Sequence, residues 1–483
     1  MISLEEYFNL VSKERGEELS AEDEEILGTA FSLAEQFHAG QKRSNGDPYF
    51  EGHCVPVSLH VASLHMGSEM IAAALLHDTL EDTALTYQEL QAKCGETIAE
   101  LVDGVSKLSK VKFKGNERHV ESLRKFFVAV AKDVRVVVLK LCDRWHNLET
   151  LQYLSPDKQT RIARESILIH AQLASRLNMG KLANILKDLA FPYAYPDEYQ
   201  KTIGITAPAR KKADKEIVKI HKKLDEIAVA TLGYQADIDE RIKGIYSSFQ
   251  KLERKNWNIN EIYDLVALRV IVKNVDDCYR ILGAIHSQFR SMPGRMKDYI
   301  SIPKPNGYKS LHTVIIDESG LNAEIQIRTI QMHTENEYGA AAHFLYKTST
   351  NDTYTKHSFD WISQINELSK DLVSPEEYIH ELQIDFFNTR IFAITPSGDV
   401  IDLPVGATIL DFAYSIHSEI GDHAHMAIVN GLPRQLSSLV ESESVIEIIT
   451  SKNSKPRPDW LKIVVTANAR NRIRKALESQ TVD

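Results

Sequence analysis

The hydrophobic periodicity of this chain changes once, near residue 190, and that change limits what each half can become. From 1 to 190, apolar residues recur three and four positions apart, the spacing that gathers them on one helix face. Helical signals cover 20–39, 56–66, 68–80, 87–102, 117–131, 134–152 and 158–190. Pro192, Pro196 and the aromatic run FPYAYPDEY close this unit, and GITAPAR reads as a short linker. From 208 a charged helix runs to about 225, and strand patterns follow at 265–273, 311–317 and 323–328. Helices near 275–288 and 330–346 separate those strands, and a helix at 357–371 ends the unit. Short strands and turns then fill 385–452, and a basic amphipathic helix follows from 458. The expected organisation is therefore multidomain: an all-α domain at 1–195, a linker and connecting helix at 196–225, an α/β domain at 226–372, a small β-grasp-like module at 385–452 and a helical tail at 453–483.

Composition narrows the functional classes. Apolar residues make up 43% of the chain and charged residues 26%, the balance of an ordinary globular protein. The longest apolar runs, Val134–Leu141 and Met70–Leu76, fall far short of the roughly 20 residues a membrane span needs. The acidic start MISLEEYFNLVSKERGEE is not a secretory signal, so no membrane role and a cytoplasmic location are expected. A net charge of −10 argues against a general nucleic-acid coat. Local basic clusters remain at Lys107, Lys110, Lys112 and Lys114 and at 210–223. The four cysteines, Cys54, Cys94, Cys142 and Cys278, form no CxxC pair and read as reduced core thiols.

A first constellation lies in the helical half. In AALLHDTLEDT, Glu81 sits one turn beyond His77 and Asp82 one turn beyond Asp78. Ionisable groups placed straight after an apolar run are costly to bury unless a cation or hydrogen bonds compensate. A later helix carries LCDRWHN, with Asp143 and Asn147 on one face, and His53 lies upstream. His53, His77, Asp78 and Asp143 form a nitrogen–oxygen set suited to a divalent ion such as Mn²⁺ bound to phosphate and water. Glu81 and Asp82 would orient or deprotonate the attacking water. Arg43, with Asn147 and Thr150, is expected on the substrate side. Single histidines such as His60, His65 and His146 read as structural or exposed.

A second constellation lies among the strands. Asp264 opens LVALRVIV, and Glu324, Gln326 and Arg328 share one face of EIQIRT. Two acidic residues on neighbouring strands would clasp Mg²⁺, which phosphoryl-type transfer needs to neutralise charge on the migrating oxygens. Arg241, Lys243, Lys251, Arg295, Lys297, Lys304 and His312 supply positive charge nearby, with Asn306, Gln326 and Arg328 as further substrate contacts. Tyr308, after Asn306-Gly307, would stack on a base. Any one of these lysines alone reads as a surface residue, and His343 as structural.

These runs resemble the long RelA/SpoT-type alarmone synthetase–hydrolases. LLHDTLEDT and DRWHN look like the runs of the HD phosphohydrolase half. RIKG at 241–244, EIYDLVALRVIV, PGRMKDYI, PKPNGYKSLHT and EIQIRT resemble the synthetase, and TPSGDVIDLPVGATILDFAYSIH with IVNG resembles a TGS domain. The resemblance implies an HD-type hydrolase domain, a mixed-sheet, nucleotidyltransferase-like synthetase domain and a β-grasp TGS domain. It implies transfer of the β,γ-pyrophosphate of ATP to the 3′-OH of GDP or GTP, with Asp264 and Glu324 carrying Mg²⁺ and Glu324 activating the hydroxyl. Tyr308 would stack on guanine, Arg241 with Lys243 and Lys251 would hold ATP, and Lys304 and His312 would bind phosphate. It also implies Mn²⁺-dependent removal of the 3′-pyrophosphate from (p)ppGpp. Arg295-Met296-Lys297-Asp298 resembles the RXKD form of bifunctional members.

Four positions depart from the family pattern. Ser44 replaces a lysine, and Tyr49-Phe50-Glu51-Gly52-His53-Cys54 carries one extra residue and lacks the proline after histidine. Asn336 replaces an alanine, and RIKG replaces RIKS. The first two departures bear on hydrolysis, so the alternative is a synthetase whose hydrolase domain has become regulatory. A third class, a ribosome- or RNA-associated stress sensor, would rest on the TGS-like unit. That unit is the expected contact for ribosome, tRNA or a regulatory protein. Long members of the family continue into further regulatory domains, so a chain of this extent is expected to be either truncated or a short natural form.

Overall fold

The computed structural model describes residues 2–109, 133–242, 244–262, 266–304, 306–318, 320–339 and 390–480. Lys243, Asp264, Lys110, Lys112, Lys114, His343 and the helices expected at 117–131 and 357–371 lie outside the described residues, as does the side chain of Arg241. The described residues fall into two units, one within 1–350 and one at its C-terminal end.

The first unit begins all-helical, as its periodicity requires. Its helices are α1 (Leu4–Arg15), α2 (Ala21–Phe37), α3 (Val55–Ser63), α4 (Ser68–Leu76), α5 (Thr79–Asp82), α6 (Tyr87–Cys94), α7 (Glu96–Ser109), α8 (Val134–Glu149), α9 (Pro156–Glu165), α10 (Ala171–Arg176) and α11 (Gly180–Ala194). Ser3, Ser20 and Thr86 each open a helix with a reciprocal capping box, using Glu6, Asp23 and Glu89. In α4, every residue from Met70 to Leu76 is buried. This helix is apolar all round and forms the floor on which His77 and Asp78 stand.

The expected GITAPAR linker does not form. A single helix, α12, runs from Pro196 to Leu232 with Pro208 inside it. A proline removes one backbone donor and crowds the carbonyl four residues back. Long packed flanks carry the helix through that defect: Ile217, Ile220, Leu224 and Ile227 anchor its second half in the core of the sheet.

The mixed sheet follows, built from β1 (Asp237–Ile242), β2 (Val266–Val272), β3 (Arg290–Ser291), β4 (Lys297–Asp298), β5 (Leu311–Ile316) and β6 (Asn322–Thr329). Helices α13 (Ile245–Arg254), α14 (Val275–Gln288) and α15 (Ile330–Tyr338) complete the domain. The strand order is β1-β2-β6-β5-β3, with β4 also on β5. Only β2 and β6 pair in parallel, aligning Ala267 with Glu324 and Arg269 with Gln326. Strand β1 had no sequence signal, because DIDERI is mostly charged; as an edge strand it needs only one buried partner.

The second unit holds β7 (Arg390–Ile394), β8 (Val400–Pro404), α16 (Ile409–Ile416), α17 (Ser418–Asp422), β9 (Ala424–Val429), β10 (Leu432–Arg434), β11 (Ile446–Thr450) and α18 (Ala467–Gln480). The helical tail expected from 453 belongs to this unit. Trp460, Val464, Ala469 and Ile473 pack against Leu410, Ala413 and Tyr414 of α16. Fully buried Asp411 ties the two together, accepting from Thr408 Oγ1 at 2.8 Å and from Thr466 N at 2.8 Å.

Candidate active sites

The first site gathers at the end of α4. His53, His77 and Asp143 are buried, and one ligand atom from each lies within 4.8 Å of the others. His53 Nε2 is 3.5 Å from Asp143 Oδ1 and 3.4 Å from Asp78 Oδ2, so the fourth expected member borders the same space. His77 Nδ1 meets the Ala74 carbonyl at 2.8 Å, where only N–H can sit. Nε2 is thereby the ring atom turned to the site. It is buried and makes no hydrogen bond, although Asp78 Oδ2 lies 2.9 Å away off the bonding direction, and it can offer a lone pair to a cation once its proton leaves. An orphaned buried nitrogen facing two carboxylates fits a cation. Burial works against charge on His77, but Asp78 and Asp143 outweigh it and raise its pKa to about 9. Burial likewise opposes ionisation of Asp78, and His77 with His53 reverses this, holding the carboxyl well below its ordinary range.

The extra residue before His53 has a structural answer. Phe50–Cys54 forms a π-turn leading directly into α3, with Pro56 in the first turn of that helix. A π-turn widens the helix by one residue, so the insertion is absorbed where it occurs and His53 still faces Asp78 and Asp143. Ser44 is exposed on the preceding loop.

The residues expected on the substrate side meet one another. Arg43 donates to Thr150 Oγ1 at 2.8 Å and lies 3.3 Å from Asn147 Oδ1. Asn147 Nδ2 in turn donates to Asp143 Oδ1 at 2.5 Å. Glu81 and Asp82 fall on the short α5 directly beyond the cluster, half-buried and exposed respectively. Lys107 is exposed and paired with Asp103.

Three neighbours of this site were not singled out by sequence. Tyr49 donates to Asp78 Oδ2 at 2.6 Å, Lys140 donates to Asp143 Oδ2 at 2.8 Å, and the Nδ1 atoms of His53 and His146 are 2.8 Å apart. His146, read from sequence as structural or exposed, is buried against a candidate ligand. Lys140 and His146 stand three residues either side of Asp143, the helical spacing that brings side chains together. Cys54 and Cys142 are buried, and burial pushes both thiols up, as expected of unreactive core cysteines.

The second site lies on β5 and β6. Glu324 Oε1 is 2.9 Å from His312 Nδ1, and His312 Nε2 is 2.8 Å from the Tyr308 hydroxyl. Gln326 Nε2 donates to Glu324 Oε2 at 3.3 Å. Lys304 Nζ sits 5.0 Å from the Tyr308 ring centre and 4.6 Å from that of Tyr299. Lys297 pairs with His312 across β4 and β5, which brings the RXKD-like run to the same strand. Arg295 is exposed and Lys251 half-buried on α13. Arg241 pairs through its backbone with Ala267 on β2. The turn through Gly307 (φ +80°) closes with Gly307 N donating to Lys304 O at 2.8 Å. Asn306 reaches the Ser175 carbonyl at 3.4 Å.

Arg328, expected among the substrate contacts, is fully buried, with its guanidinium 2.9 Å from both Glu337 Oε1 and His333 Nδ1. Arg269 shares Glu337 at 3.1 Å. The strand alternation put Arg328 on the same face as Glu324, but α15 covers that end of the strand.

Comparisons with known proteins follow this layout. The description "HD domain" matches residues 30–180, "Region found in RelA / SpoT proteins" matches 240–351, and "TGS domain" matches 391–450. The chain is 41% identical over 461 residues to the guanosine-3′,5′-bis(diphosphate) 3′-pyrophosphohydrolase of Aquifex aeolicus, covering 94% of this chain and 65% of that protein. It is 40% identical over 456 residues to the bifunctional (p)ppGpp synthase/hydrolase SpoT of Escherichia coli, covering 94% and 65%. It is 40% identical over 464 residues to the GTP pyrophosphokinase of Streptomyces coelicolor, covering 92% and 54%. The chain thus spans less than two thirds of the length of each of these relatives. Among the described residues, no helix is long and apolar enough to cross a membrane. With HD, RelA/SpoT and TGS domains in that order and this identity along nearly its whole length, the chain belongs to the RelA/SpoT-type family.

Proposed function

We propose that this chain both makes and degrades a guanosine 3′-pyrophosphate alarmone, at two separate sites. The observation that carries the reading is the coexistence of a buried His–His–Asp cluster on the helical domain and a Tyr308–His312–Glu324 line on the sheet. A single chain with both sets is equipped for two chemistries.

For hydrolysis, His53, His77, Asp78 and Asp143 would hold a divalent ion, with Mn²⁺ the ion we favour for a mixed imidazole–carboxylate set. Such an ion supplies positive charge that polarises the 3′-phosphate and favours ionisation of water. Glu81 and Asp82 would take the proton from the attacking water. Arg43, braced by Asn147 and Thr150, would hold the nucleotide's phosphates. Water attacks phosphorus, the bond to the 3′-oxygen breaks, and GDP or GTP leaves with pyrophosphate.

For synthesis, the 3′-hydroxyl of GDP or GTP attacks the β-phosphorus of ATP, and AMP departs as the α–β bridge breaks. Glu324 would accept the hydroxyl proton, with His312 fixing its carboxylate. Glu324 and Asp264 would hold Mg²⁺, which offsets charge on the transferred group. Tyr308 would stack on guanine, with Lys304 beside it for phosphate. Arg241, Lys243, Lys251, Arg295 and Lys297 would bind ATP. These substrates would place the chain in the cytoplasm, and any contact with ribosome, tRNA or a regulatory protein would fall to the TGS domain.

The test uses one purified preparation. With Mn²⁺ and ppGpp it should release GDP and pyrophosphate; with Mg²⁺, ATP and GDP or GTP it should form (p)ppGpp and AMP. A second reading, a synthetase with a regulatory hydrolase domain, draws on exposed Ser44 where the family pattern has lysine. Synthesis without any pyrophosphate release from ppGpp would favour it over the first.

A further inference from the structure

The loop bearing Tyr308 is held by a side chain that stands outside the catalytic line. Asn336, on α15, is 3% exposed. Its Oδ1 accepts from Lys309 N at 3.2 Å, and its Nδ2 donates to Lys309 O at 2.7 Å. Both hydrogen-bonding groups of one peptide residue are thus closed by one amide, as a neighbouring strand would close them. Lys309 follows Tyr308 directly, so this clamp fixes the backbone from which the ring projects. On the other side of the turn, Tyr308 N donates to Asn306 Oδ1 at 3.3 Å. An alanine at 336, the residue in the family pattern, has no atoms with which to make either bond.

The clamp itself rests on a rigid seat. Asn178 Nδ2 donates to the carbonyl of Glu335 at 2.9 Å, and Asn306 Nδ2 reaches Asn178 Oδ1 at 3.4 Å. Gly339, at the end of α15, packs so tightly on the Leu177 and Asn178 backbone that no β-carbon fits there. Helix α15 therefore cannot slide without breaking these contacts, and the side chain of Asn336 is delivered to Lys309 in one place.

We propose that Asn336 is a positioning residue for the guanine nucleotide in synthesis, acting by fixing the 306–309 loop so that Tyr308 is presented ready to stack. The inference rests on the reading of Tyr308 as the guanine-stacking residue. Without the clamp the loop samples more conformations, and the nucleotide must select the competent one, which weakens binding in proportion. ATP does not depend on that ring, so its binding is spared.

The experiment is a double-mutant cycle on the full chain, with Asn336→Ala and Tyr308→Ala alone and combined. KM for GDP and for ATP and the Kd of a fluorescent GDP derivative are measured for each. Asn336→Ala is expected to raise the GDP KM and Kd roughly tenfold, the loss of about one or two hydrogen bonds, with the ATP KM unchanged. In the Tyr308→Ala background the same change should have little further effect, because the ring it positions is gone. Equal GDP affinity with and without Asn336 would overturn the proposal, as would a penalty that persists undiminished without Tyr308 or falls equally on ATP. If Asn336→Ala does not fold, Asn336→Asp serves: it keeps an acceptor for Lys309 N and loses the donor, and an intermediate GDP penalty is expected, no penalty overturning the idea. A wild-type chain that makes no product from ATP and GDP but shows the GDP-binding cycle described would sink the synthetase reading and leave the positioning role standing.

Discussion

The Nδ1 atoms of His53 and His146 lie 2.8 Å apart, so one ring must donate and the other accept. Burial, aided by the charges of His53 and Arg43, lowers the pKa of His146 to about 3, and its ring is neutral. If His53 offers Nε2 to a metal, its proton sits on Nδ1 and His146 is the acceptor. Loss of such a partner costs a metal site roughly 10–100-fold in affinity or activity. We expect Asn147 and Asp143 to stay in place in His146→Ala while Mn²⁺ affinity falls by about that factor. His146→Asn, whose amide oxygen can accept, should recover part of it. Titration calorimetry on the two variants is the measurement; equal affinity in wild type and His146→Ala would remove the orienting role.

Metal uptake should depend on pH with a definite sign. Asp78 and Asp143 hold His77 protonated up to about pH 9, whereas both carboxyls are ionised far below neutrality. A metal must displace the His77 proton, so affinity is highest above pH 9 and falls as pH drops below it. The expected slope is about tenfold per pH unit between pH 6 and 8, with roughly one proton released per ion. Calorimetry in buffers of different ionisation enthalpy counts that proton; a pH-independent affinity would contradict it.

The two sites should separate by mutation. His77→Ala or Asp78→Ala is expected to abolish release of pyrophosphate from ppGpp and spare synthesis, while Glu324→Ala or Asp264→Ala does the reverse. Single-site losses of this kind commonly reach about 10²–10⁴-fold in rate. Product formation by chromatography reads both directions; loss of both reactions in every variant would point to one shared site.

Gly244 is matched to Asp188. Tyr246 N donates to Asp188 Oδ1 at 2.9 Å, so a carboxylate on α11 supplies the cap that the start of α13 lacks in its own sequence. A β-carbon at 244 would collide with both carboxylate oxygens. Gly244→Ser, which restores the residue of the family pattern, should therefore destabilise the chain by about 1–3 kcal/mol, and Asp188→Ala by a similar amount. The double variant should lose less than the sum, since removing the carboxylate makes room for the serine. Thermal melts of the three proteins test this, and simple additivity would show the two positions to be independent.

Much of the fold was legible because local patterns report burial. The apolar run ending at His77, the alternation in EIQIRT and the helix near 275–288 all appear within a residue or two of their expected places. The GITAPAR break and strand β1 were not legible. Proline and glycine weaken a helix locally, but α12 is held by packing further along, and DIDERI offers only two isoleucines among four charged residues to announce a strand.

Residue identity by itself determined the chemistry available here: two histidines and two aspartates beside an apolar helix, and a glutamate one strand from a histidine and a tyrosine loop. Tertiary structure alone decided which of those groups meet. It placed His146, Lys140 and Tyr49 around the metal-ligand set, turned Arg328 inward to Glu337 and His333, and absorbed the extra residue before His53 in a π-turn. The physical reason is that sequence spacing fixes neighbours within one element, whereas contacts between elements depend on how their buried faces pack. Asn336 shows the difference: a departure from pattern at one position became, through α15, both hydrogen bonds of Lys309.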